Sequence, residues 1–325
     1  MSSIIFEPGK FFPQCHASCI LPLDDGRILI VYFAGEHEKA DDVGIWLSEY
    51  DGAKWLEPRC IAKLCGEPHW NPVLFKTADG VRIVFKVGRE IRAWRSMTML
   101  SRDGGHTWSA PHGYKNNPAG GPVRSHPIKL SSGAWLAPNS DEAGAWRPRV
   151  DVSHDEGETF ERLSDIPLNT TDEAAPDYLP GLGAIQPTLW ESAPGHVHAL
   201  LRTTGGYVYR SDSDDYGRTW SRARKTDIPN NNSGIDVAKA PDGRLFLALN
   251  PVSGNWGART PLRVYVSEDG GESFHPYAVL ADDPTDKSTG KPAEFSYPSL
   301  YVKGDTLMAS YTYNRRSVAF WCARI

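Results

Sequence analysis

The feature that most constrains this chain is a short motif repeated at nearly even intervals. The pattern Ser-x-Asp-x-Gly-x-Thr/Ser-aromatic occupies four segments: Ser101–Trp108, Ser153–Phe160, Ser213–Trp220 and Ser267–Phe274. A weaker fifth copy lies at Ser48–Trp55, and the five copies start at residues 48, 101, 153, 213 and 267. A self-similar unit of about fifty residues is typical of propeller blades or solenoid repeats.

Each copy has the chemistry of a tight turn between two strands. The Asp side chain can accept backbone N–H groups two or three residues further on, and the Gly supplies a positive φ angle. The aromatic residue then returns the chain to a hydrophobic layer. The motif therefore predicts a structural turn that does not contact substrate.

A second repeated unit, a strand pair joined by an Asp-Gly or Gly turn, precedes these motifs. Such turns between alternating apolar residues are typical of β-hairpins. Six copies occur, and their first strands begin at His16, Asn71, His126, Gln186, Asp236 and Tyr297. The 11 Trp, 13 Tyr and 11 Phe residues favour strands, and the lack of long helical periodicity predicts little helix.

We therefore expect an all-β fold, a six-bladed β-propeller with four-stranded antiparallel blades, formed by residues 1–325 as a single domain. The last blade contains only three strands before the chain ends at Ile325. Residues Ser3 to Phe6 can supply its outer strand, so that the N-terminal strand closes the ring and removes an exposed sheet edge.

Composition excludes several classes of function. A net charge of −5 provides no basic surface for nucleic acid, and no apolar stretch approaches the roughly 20 residues needed to span a membrane. The N-terminus lacks the pattern of a secretory signal, and the five cysteines are an odd number. We expect a reduced, cytoplasmic protein with no cofactor and no metal, since Cys60 and Cys65 do not have zinc-ligand spacing.

The alternation of strands, or strand parity, predicts which face of the propeller carries the function, because the chain crosses the disc once with every strand. The starts of the inner strands, the ends of the second strands and the connections after them share one face, and the repeated turns lie on the other. All six inner strands begin with a polar residue. Arg202, Arg259, Arg315 and Tyr313 belong to the same face, and several arginines around one funnel favour a carboxylate guest.

These features resemble the sialidase superfamily over essentially the whole chain, because sialidases are six-bladed propellers with Asp-box turns opposite the active site. The resemblance implies that Arg202 and Arg259 are the second and third arginines that bind the substrate carboxylate. It also implies that Tyr297, in Phe-Ser-Tyr-Pro-Ser-Leu, is the nucleophile. Asp42 lies near the position of the acid/base.

Two positions depart from the sialidase pattern. The family's first arginine is missing, because the first inner strand opens with Cys15-His16-Ala17-Ser18. The glutamate that supports the nucleophile falls near Gln186, which cannot act as a base. Glu294 or Asp236 could approach Tyr297 instead. The pattern favours a relative that acts on another carboxylated sugar, as an oligosaccharide or a small glycoside.

Three hypotheses remain open at this point. In the first, the protein is an exo-glycosidase, with Tyr297 attacking the anomeric carbon and Asp42 or His16 protonating the leaving oxygen. In the second, it is a lyase that removes the C5 proton of a uronate with Tyr297 or His16.

In the third hypothesis the propeller binds a glycan without catalysis. Candidate contacts for the sugar are Asn71, His126, Gln186 and the four residues Trp70, Trp94, Trp146 and Trp256, whose rings can stack on it.

Overall fold

The chain folds into six four-stranded antiparallel sheets around a central axis, as the repeats predict. The computed structural model describes residues 2–64 and 66–325, so Cys65 lies outside the described residues. Strand β1 is Ser2–Ile4. The first blade contains β2 (Gln14–Pro22), β3 (Ile28–Gly35), β4 (Gly44–Tyr50) and β5 (Arg59–Ala62). The second contains β6 (His69–Thr77), β7 (Gly80–Val87), β8 (Arg95–Ser101) and β9 (His112–Gly113).

The remaining four blades repeat this order. The third blade contains β10 (Ile128–Lys129), β11 (Trp135–Asp141), β12 (Arg147–Ser153) and β13 (Glu161–Asp165). The fourth contains β14 (Ala184–Ala193), β15 (His196–Thr203), β16 (Tyr207–Ser213) and β17 (Arg224–Pro229). The fifth contains β18 (Asp236–Lys239), β19 (Leu245–Leu249), β20 (Leu262–Ser267) and β21 (His275–Ala281). The sixth contains β22 (Phe295–Lys303), β23 (Thr306–Tyr313) and β24 (Ser317–Arg324), together with β1.

The two ends of the described chain pair to complete the sixth blade. Ser2 lies opposite Trp321 and Ile4 lies opposite Ala319 in an antiparallel pair. The predicted N-terminal closing strand is confirmed, although it begins one residue earlier than expected. The pairing covers the edge of β24 that would otherwise be exposed.

The repeated motifs are turns that lead from the third strand of a blade towards its outer strand. In the copy beginning at Ser101, Asp103 Oδ1 accepts hydrogen bonds from Ser101 Oγ at 2.8 Å and Thr107 N at 2.9 Å. Hydrogen bonds from the Thr107 hydroxyl and backbone hold the pKa of Asp103 well below its usual range. The side chains of Asp155, Asp215 and Asp269 bind their own turns in the same way.

The hydrophobic core lies between neighbouring blades. One cluster combines Val31 and Leu47 of the first blade with Val73 and Ile83 of the second, all fully or almost fully buried. Burial of each such side chain contributes about 1.5–3 kcal/mol. Since every blade presents apolar residues to both neighbours, the ring is stabilised as a unit.

Helix is limited to one 3₁₀ turn, Ile91–Ala93, in the described ranges. No helix within those ranges is long and apolar enough to cross a membrane.

Candidate functional site

A polar cavity of about 230 Å³ opens on the face where the inner strands begin. Six groups of residues line it, in chain order: His16 and Phe33; Glu38 and Lys39; Trp70, Asn71, Ile91 and Trp94; Glu142 and Trp146; Ile185, Gln186 and Arg202; Trp256, Arg259, Tyr297 and Arg315. They come from inner strands and from connections after second strands, on the face that strand parity predicts.

Four inner strands present their side chains through the same backbone irregularity. In each, two residues oppose a single residue of the neighbouring strand, which defines a β-bulge. The first residue of the pair has a positive φ angle, and these residues are Ala17 (55°), Asn71 (43°), Gln186 (52°) and Tyr297 (52°). Positive φ angles are strained for residues other than glycine and are concentrated at functional sites.

The observed first residues of the inner strands differ from the predicted ones. Strands β2, β6, β14 and β22 begin before the expected residues, and β10 begins after His126. In the first blade the bulge residue is Ala17, so His16 takes the preceding position in the strand.

Tyr297 lines the cavity and is 9% exposed. Its phenolic oxygen accepts a hydrogen bond of 2.6 Å from Arg202 Nη1. Arg202 Nη1 also donates to Gln186 Oε1 at 2.9 Å, and Arg202 Nε donates to Asn232 Oδ1 at 2.9 Å. These contacts fix the guanidinium against the tyrosine oxygen.

A second cluster joins two arginines through one carboxylate. Glu294 Oε1 accepts hydrogen bonds from Arg259 Nη1 at 2.7 Å, Arg315 Nε at 2.7 Å and Ser296 Oγ at 2.8 Å. Arg315 Nη1 donates to Glu38 Oε2 at 2.6 Å. Burial opposes the ionisation of Glu294, but Arg259 and Arg315 outweigh it and hold the pKa below its usual range.

The hydrogen bonds of Arg202, Arg259 and Arg315 described above run through Nε and Nη1. The Nη2 group of each arginine is therefore the part best placed to meet a guest in the cavity. Because Lys39 adds a fourth cation and the carboxylates are engaged by the protein, the cavity favours an anion.

Glu142 lies on the opposite side of Gln186. Its Oε1 accepts hydrogen bonds from Gln186 Nε2 at 3.1 Å and from Ser140 Oγ at 2.9 Å. Burial raises the pKa of Glu142, although Arg202 opposes the shift. A carboxyl group that keeps its proton towards neutral pH can act as a general acid.

His16 packs against Tyr297, with the two ring centroids 4.2 Å apart. Its Nδ1 forms a hydrogen bond of 2.9 Å with Thr312 Oγ1, and its buried Nε2 has no partner in the described part of the chain. Burial and the neighbouring arginines lower the pKa of His16 well below its ordinary value. The imidazole is therefore neutral at pH 7.

All four tryptophans considered for sugar stacking line the cavity. Trp70 and Trp94 pack together with ring centroids 5.2 Å apart. Trp146 and Trp256 form an edge-to-face pair at 6.5 Å, and the Arg202 guanidinium lies 5.5 Å and 5.8 Å from their rings. Trp256 is 62% exposed, with φ at 59°, so it presents an aromatic surface at the mouth of the cavity.

The structure brings together most of the residues selected from the sequence. Those that line the cavity are Tyr297, His16, Arg202, Arg259, Arg315, Asn71 and Gln186. Glu294 joins them through its ion pairs with two arginines.

His126 and Asp236 lie outside this cavity. His126 lines a separate cavity of about 320 Å³, with residues from later in the inner strands, and its Nε2 is 3.3 Å from Cys19 Sγ. Asp236 accepts hydrogen bonds from Thr188 Oγ1 and Leu300 N. The prediction that Asp236 assists Tyr297 is corrected, because its carboxylate is occupied in joining inner strands.

Asp42 and Tyr313 also lie outside the cavity. Both carboxylate oxygens of the exposed Asp42 accept the Glu36 N–H, at 3.1 and 2.9 Å, and so close the connection after β3. Tyr313 is half-buried and packs against Phe295 with a centroid distance of 5.3 Å. The geometry therefore leaves the expected acid/base role of Asp42 without support.

Sequence reasoning missed Glu38, Lys39, Glu142 and Arg124. Glu38 and Lys39 share the connection that contains Asp42, and Glu142 follows the second strand of the third blade. Strand parity, which selected other residues on this face, could also have identified Glu38, Lys39 and Glu142. Arg124 comes from the connection before β10 and has no periodic signal.

The described ranges contain no group of three or more His, Cys, Asp or Glu residues arranged to hold a metal ion.

Comparison with known proteins identifies the family. The model of the BNR repeat-like domain matches residues 26–309. The chain belongs to the BNR repeat-like family. No curated protein sequence is significantly similar to this BNR repeat-like chain.

Solved structures show the same fold at low sequence identity. The Hadza microbial sialidase Hz136 is 16% identical with a TM-score of 0.79, and the match covers 100% of this chain and 68% of that one. A protein of unknown function from Dyadobacter fermentans is 17% identical with a TM-score of 0.75, covering 100% and 98% of the two chains. The Trypanosoma rangeli sialidase, solved with sialic acid, is 15% identical with a TM-score of 0.73, covering 98% and 58%.

Proposed function

We propose that this protein is an exo-acting glycoside hydrolase that removes a terminal carboxylated sugar, with Tyr297 as the nucleophile. The observation that carries the proposal is the convergence of Arg202, Arg259 and Arg315 on one cavity beside the tyrosine oxygen. Guanidinium groups bind carboxylates with paired hydrogen bonds. The similar sialidase fold, including one structure with sialic acid, supports a sugar as the guest.

The size of the cavity supports action at a chain end. Its volume of about 230 Å³ is below the roughly 300–1,000 Å³ of sites for drug-sized ligands. One sugar ring fills such a space, and the rest of the glycan extends past the exposed Trp256. Aromatic rings at the mouth provide surfaces on which a sugar can stack.

The residues present can carry out both steps of a retaining reaction. The Tyr297 oxygen bonds to the anomeric carbon, its proton passes to His16 Nε2, and Glu142 protonates the leaving oxygen as the glycosidic bond breaks. Water then attacks the anomeric carbon, the Glu142 carboxylate takes one of its protons, and the bond to Tyr297 breaks. Arg202 stabilises the negative charge that returns to the phenolic oxygen. The proton held by His16 then returns to the phenolic oxygen.

One observation favours a second candidate function, a uronate lyase. The residue beside Arg202 is Gln186, which cannot assist a tyrosine nucleophile as a glutamate would, and a neutral His16 has an unpartnered Nε2 next to Tyr297. In this reaction the arginines neutralise the carboxylate and His16 or Tyr297 removes the C5 proton. The C4–C5 double bond forms, the C4–O bond breaks, and Glu142 protonates the leaving oxygen.

Mass spectrometry of one incubation separates these functions. The purified protein is incubated with sialosides and glucuronate-containing oligosaccharides in water enriched in oxygen-18. A product that has gained labelled water supports the hydrolase, whereas cleavage without gain of water contradicts it and supports the lyase. An untouched panel contradicts both.

Two tyrosine variants connect the measurement to the site. Tyr297→Phe keeps the ring and removes the oxygen, and we expect turnover to fall about a thousandfold or more. Tyr313→Phe is the matched control outside the cavity and should retain activity. Full activity in Tyr297→Phe would end the nucleophile assignment.

A further inference from the structure

Arg124 is a buried cation that the proposed reaction does not use. It is 1% exposed, and its guanidinium carbon lies 5.3 Å from the centroid of the Tyr297 ring. Nη2 donates a hydrogen bond to the Pro298 carbonyl oxygen, and Nε has no partner in the described part of the chain. Arg124 does not line the cavity, so it has no route to the substrate.

A guanidinium in this position is costly to bury. Removal of a charge from water is unfavourable unless a partner compensates it. Burial lowers the pKa of Arg124, while Asp236, Cys19 and Tyr297 oppose that shift through their charges. Arginine nonetheless keeps its proton in proteins. The charge therefore remains, and the electron-rich groups around it are the Pro298 carbonyl, the Asp236 carboxylate and the Tyr297 ring.

Tyr297 is surrounded by cations. The guanidinium carbons of Arg124, Arg202 and Arg259 lie 5.3, 5.5 and 5.6 Å from its ring centroid. The other ionisable groups around the site are neutral His16 on β2, Glu38 and Lys39 after β3, Glu142 after β11, and Glu294 and Arg315 of the sixth blade. Two further groups, Asp236 on β18 and Cys19 on β2, face Arg124. Gln186 occupies the place beside Arg202 where a carboxylate could have taken the phenolic proton.

Gly234 provides the space for this arrangement. A Cβ atom at residue 234 would lie 3.2 Å from Tyr297 Cγ and 3.4 Å from Arg124 Nε. Such contacts are tighter than normal, so the glycine allows the guanidinium and the tyrosine to pack at their observed separation.

We infer that Arg124 is a positioning residue that stabilises the phenolate form of Tyr297 from beneath the ring, in place of an adjacent carboxylate base. When the phenolic proton passes to His16, the negative charge on the oxygen is shared by Arg202 in the cavity and Arg124 below it. Only the expected fall in kcat rests on the proposed function. The ionisation of Tyr297 can be measured without any substrate.

The first test is a pH titration of tyrosine ionisation in the whole protein. Tyrosine labelled with carbon-13 at Cζ is incorporated, and the Tyr297 signal is assigned by its loss in Tyr297→Phe. We expect the titration midpoint to rise by about one pH unit or more in Arg124→Met, because a stabilising charge is removed. Arg124→Lys keeps a cation and should restore part of the shift.

Arg210→Met is the matched control. Arg210 is also buried beneath an aromatic ring, 5.5 Å from the Trp190 centroid, and it donates to Gly271 in a repeated turn on the opposite face. Its loss should reduce the melting temperature and leave the Tyr297 titration unchanged. If Arg124→Met does not fold, Arg124→Gln, which keeps a hydrogen-bond donor for Pro298, takes its place.

The second test is kinetic and uses whichever panel compound the wild type turns over. We expect kcat to fall about thirtyfold in Arg124→Met, the effect of a desolvated cation–π contact. KM should stay within about threefold, because Arg124 does not touch the substrate. The acidic limb of the pH–rate profile should move to higher pH, which loss of stability alone would not cause.

The outcomes distinguish the inference from the proposed function. An unchanged Tyr297 titration in the neutral Arg124 variants overturns the inference, even if the wild type is active. A shifted titration supports it, even if the wild type cleaves nothing in the panel and the proposed function fails. A shift of the same size in Arg210→Met also overturns the inference, because it would indicate a general loss of packing.

Discussion

Glu294 forms ion pairs with both Arg259 and Arg315, and this group of three residues is called the clamp below. Substitution of Glu294 is the most direct test of its contribution. Glu294→Gln keeps the shape of the side chain and removes its charge. The amide oxygen can still accept both hydrogen bonds of 2.7 Å, from Arg259 and Arg315, but it lacks the negative charge that strengthens them. The two guanidinium charges would then lose the carboxylate that compensates both of them.

The burial of the clamp sets the size of the effect. The side chains of Glu294, Arg259 and Arg315 are 25%, 16% and 24% exposed. Exposed ion pairs contribute up to about 1 kcal/mol, whereas breaking a buried pair costs about 3–5 kcal/mol. We expect the free energy of unfolding to fall by about 2–3 kcal/mol and the melting temperature to fall by about 5 °C.

Thermal unfolding and steady-state kinetics provide the readouts. Because Arg259 and Arg315 lose their shared anchor, we expect KM for a carboxylated glycoside to rise about tenfold, which corresponds to about 1.4 kcal/mol of binding. Glu67→Gln is the control, since it breaks an exposed ion pair with Arg95 away from the cavity. The reasoning is refuted if Glu294→Gln and Glu67→Gln have the same melting temperature and Glu294→Gln leaves KM unchanged.

Three further predictions concern single groups. Glu142→Gln should abolish cleavage of glycosides with alkyl leaving groups and spare kcat/KM for activated aryl glycosides, whose first step needs no protonated acid, although their kcat should fall because the base of the second step is lost; equal losses of kcat/KM on both would contradict this role. His16 has a folded-state pKa below its ordinary 6.5, so its contribution to stability is present above about pH 6.5 and is lost as the pH falls below that value. In denaturant titrations across this range, His16→Gln should lose less stability than the wild type. Asp155→Ala should lower the melting temperature by removing hydrogen bonds within a repeated turn, and unchanged kcat and KM would confirm that this turn is structural.

The fold could be read from the sequence because its signals are local and repeated. The turn at Ser101–Trp108 and its copies encode their own hydrogen bonds, and short hairpins encode the strand pairs. Even the closing strand could be predicted, because a blade with three strands leaves an edge that the N-terminal segment can cover. Strand parity then identified the face of the cavity correctly.

The site was less predictable because its geometry depends on distant residues. In the first blade the bulge residue with a positive φ angle is Ala17 and not His16, so Ala17 is the residue equivalent to Tyr297. Asp236 was assigned to the tyrosine because both residues start inner strands, yet its carboxylate instead binds Thr188 and Leu300. Connections such as the one containing Glu142 have no period, so the orientation of their side chains cannot be derived from spacing.

The four bulges on the inner strands have a practical consequence for engineering. Three of them place the bulge side chain in the cavity, at Asn71, Gln186 and Tyr297, whereas in the first blade His16 lines the cavity and Ala17 is buried in the core. The bulge positions in the cavity can therefore be substituted separately. The left-handed backbone there disfavours Val, Ile and Thr and accepts Asn, Asp, His or Gly more readily. A library restricted to such residues at Asn71 and Gln186 should vary substrate preference without requiring any blade to be rebuilt.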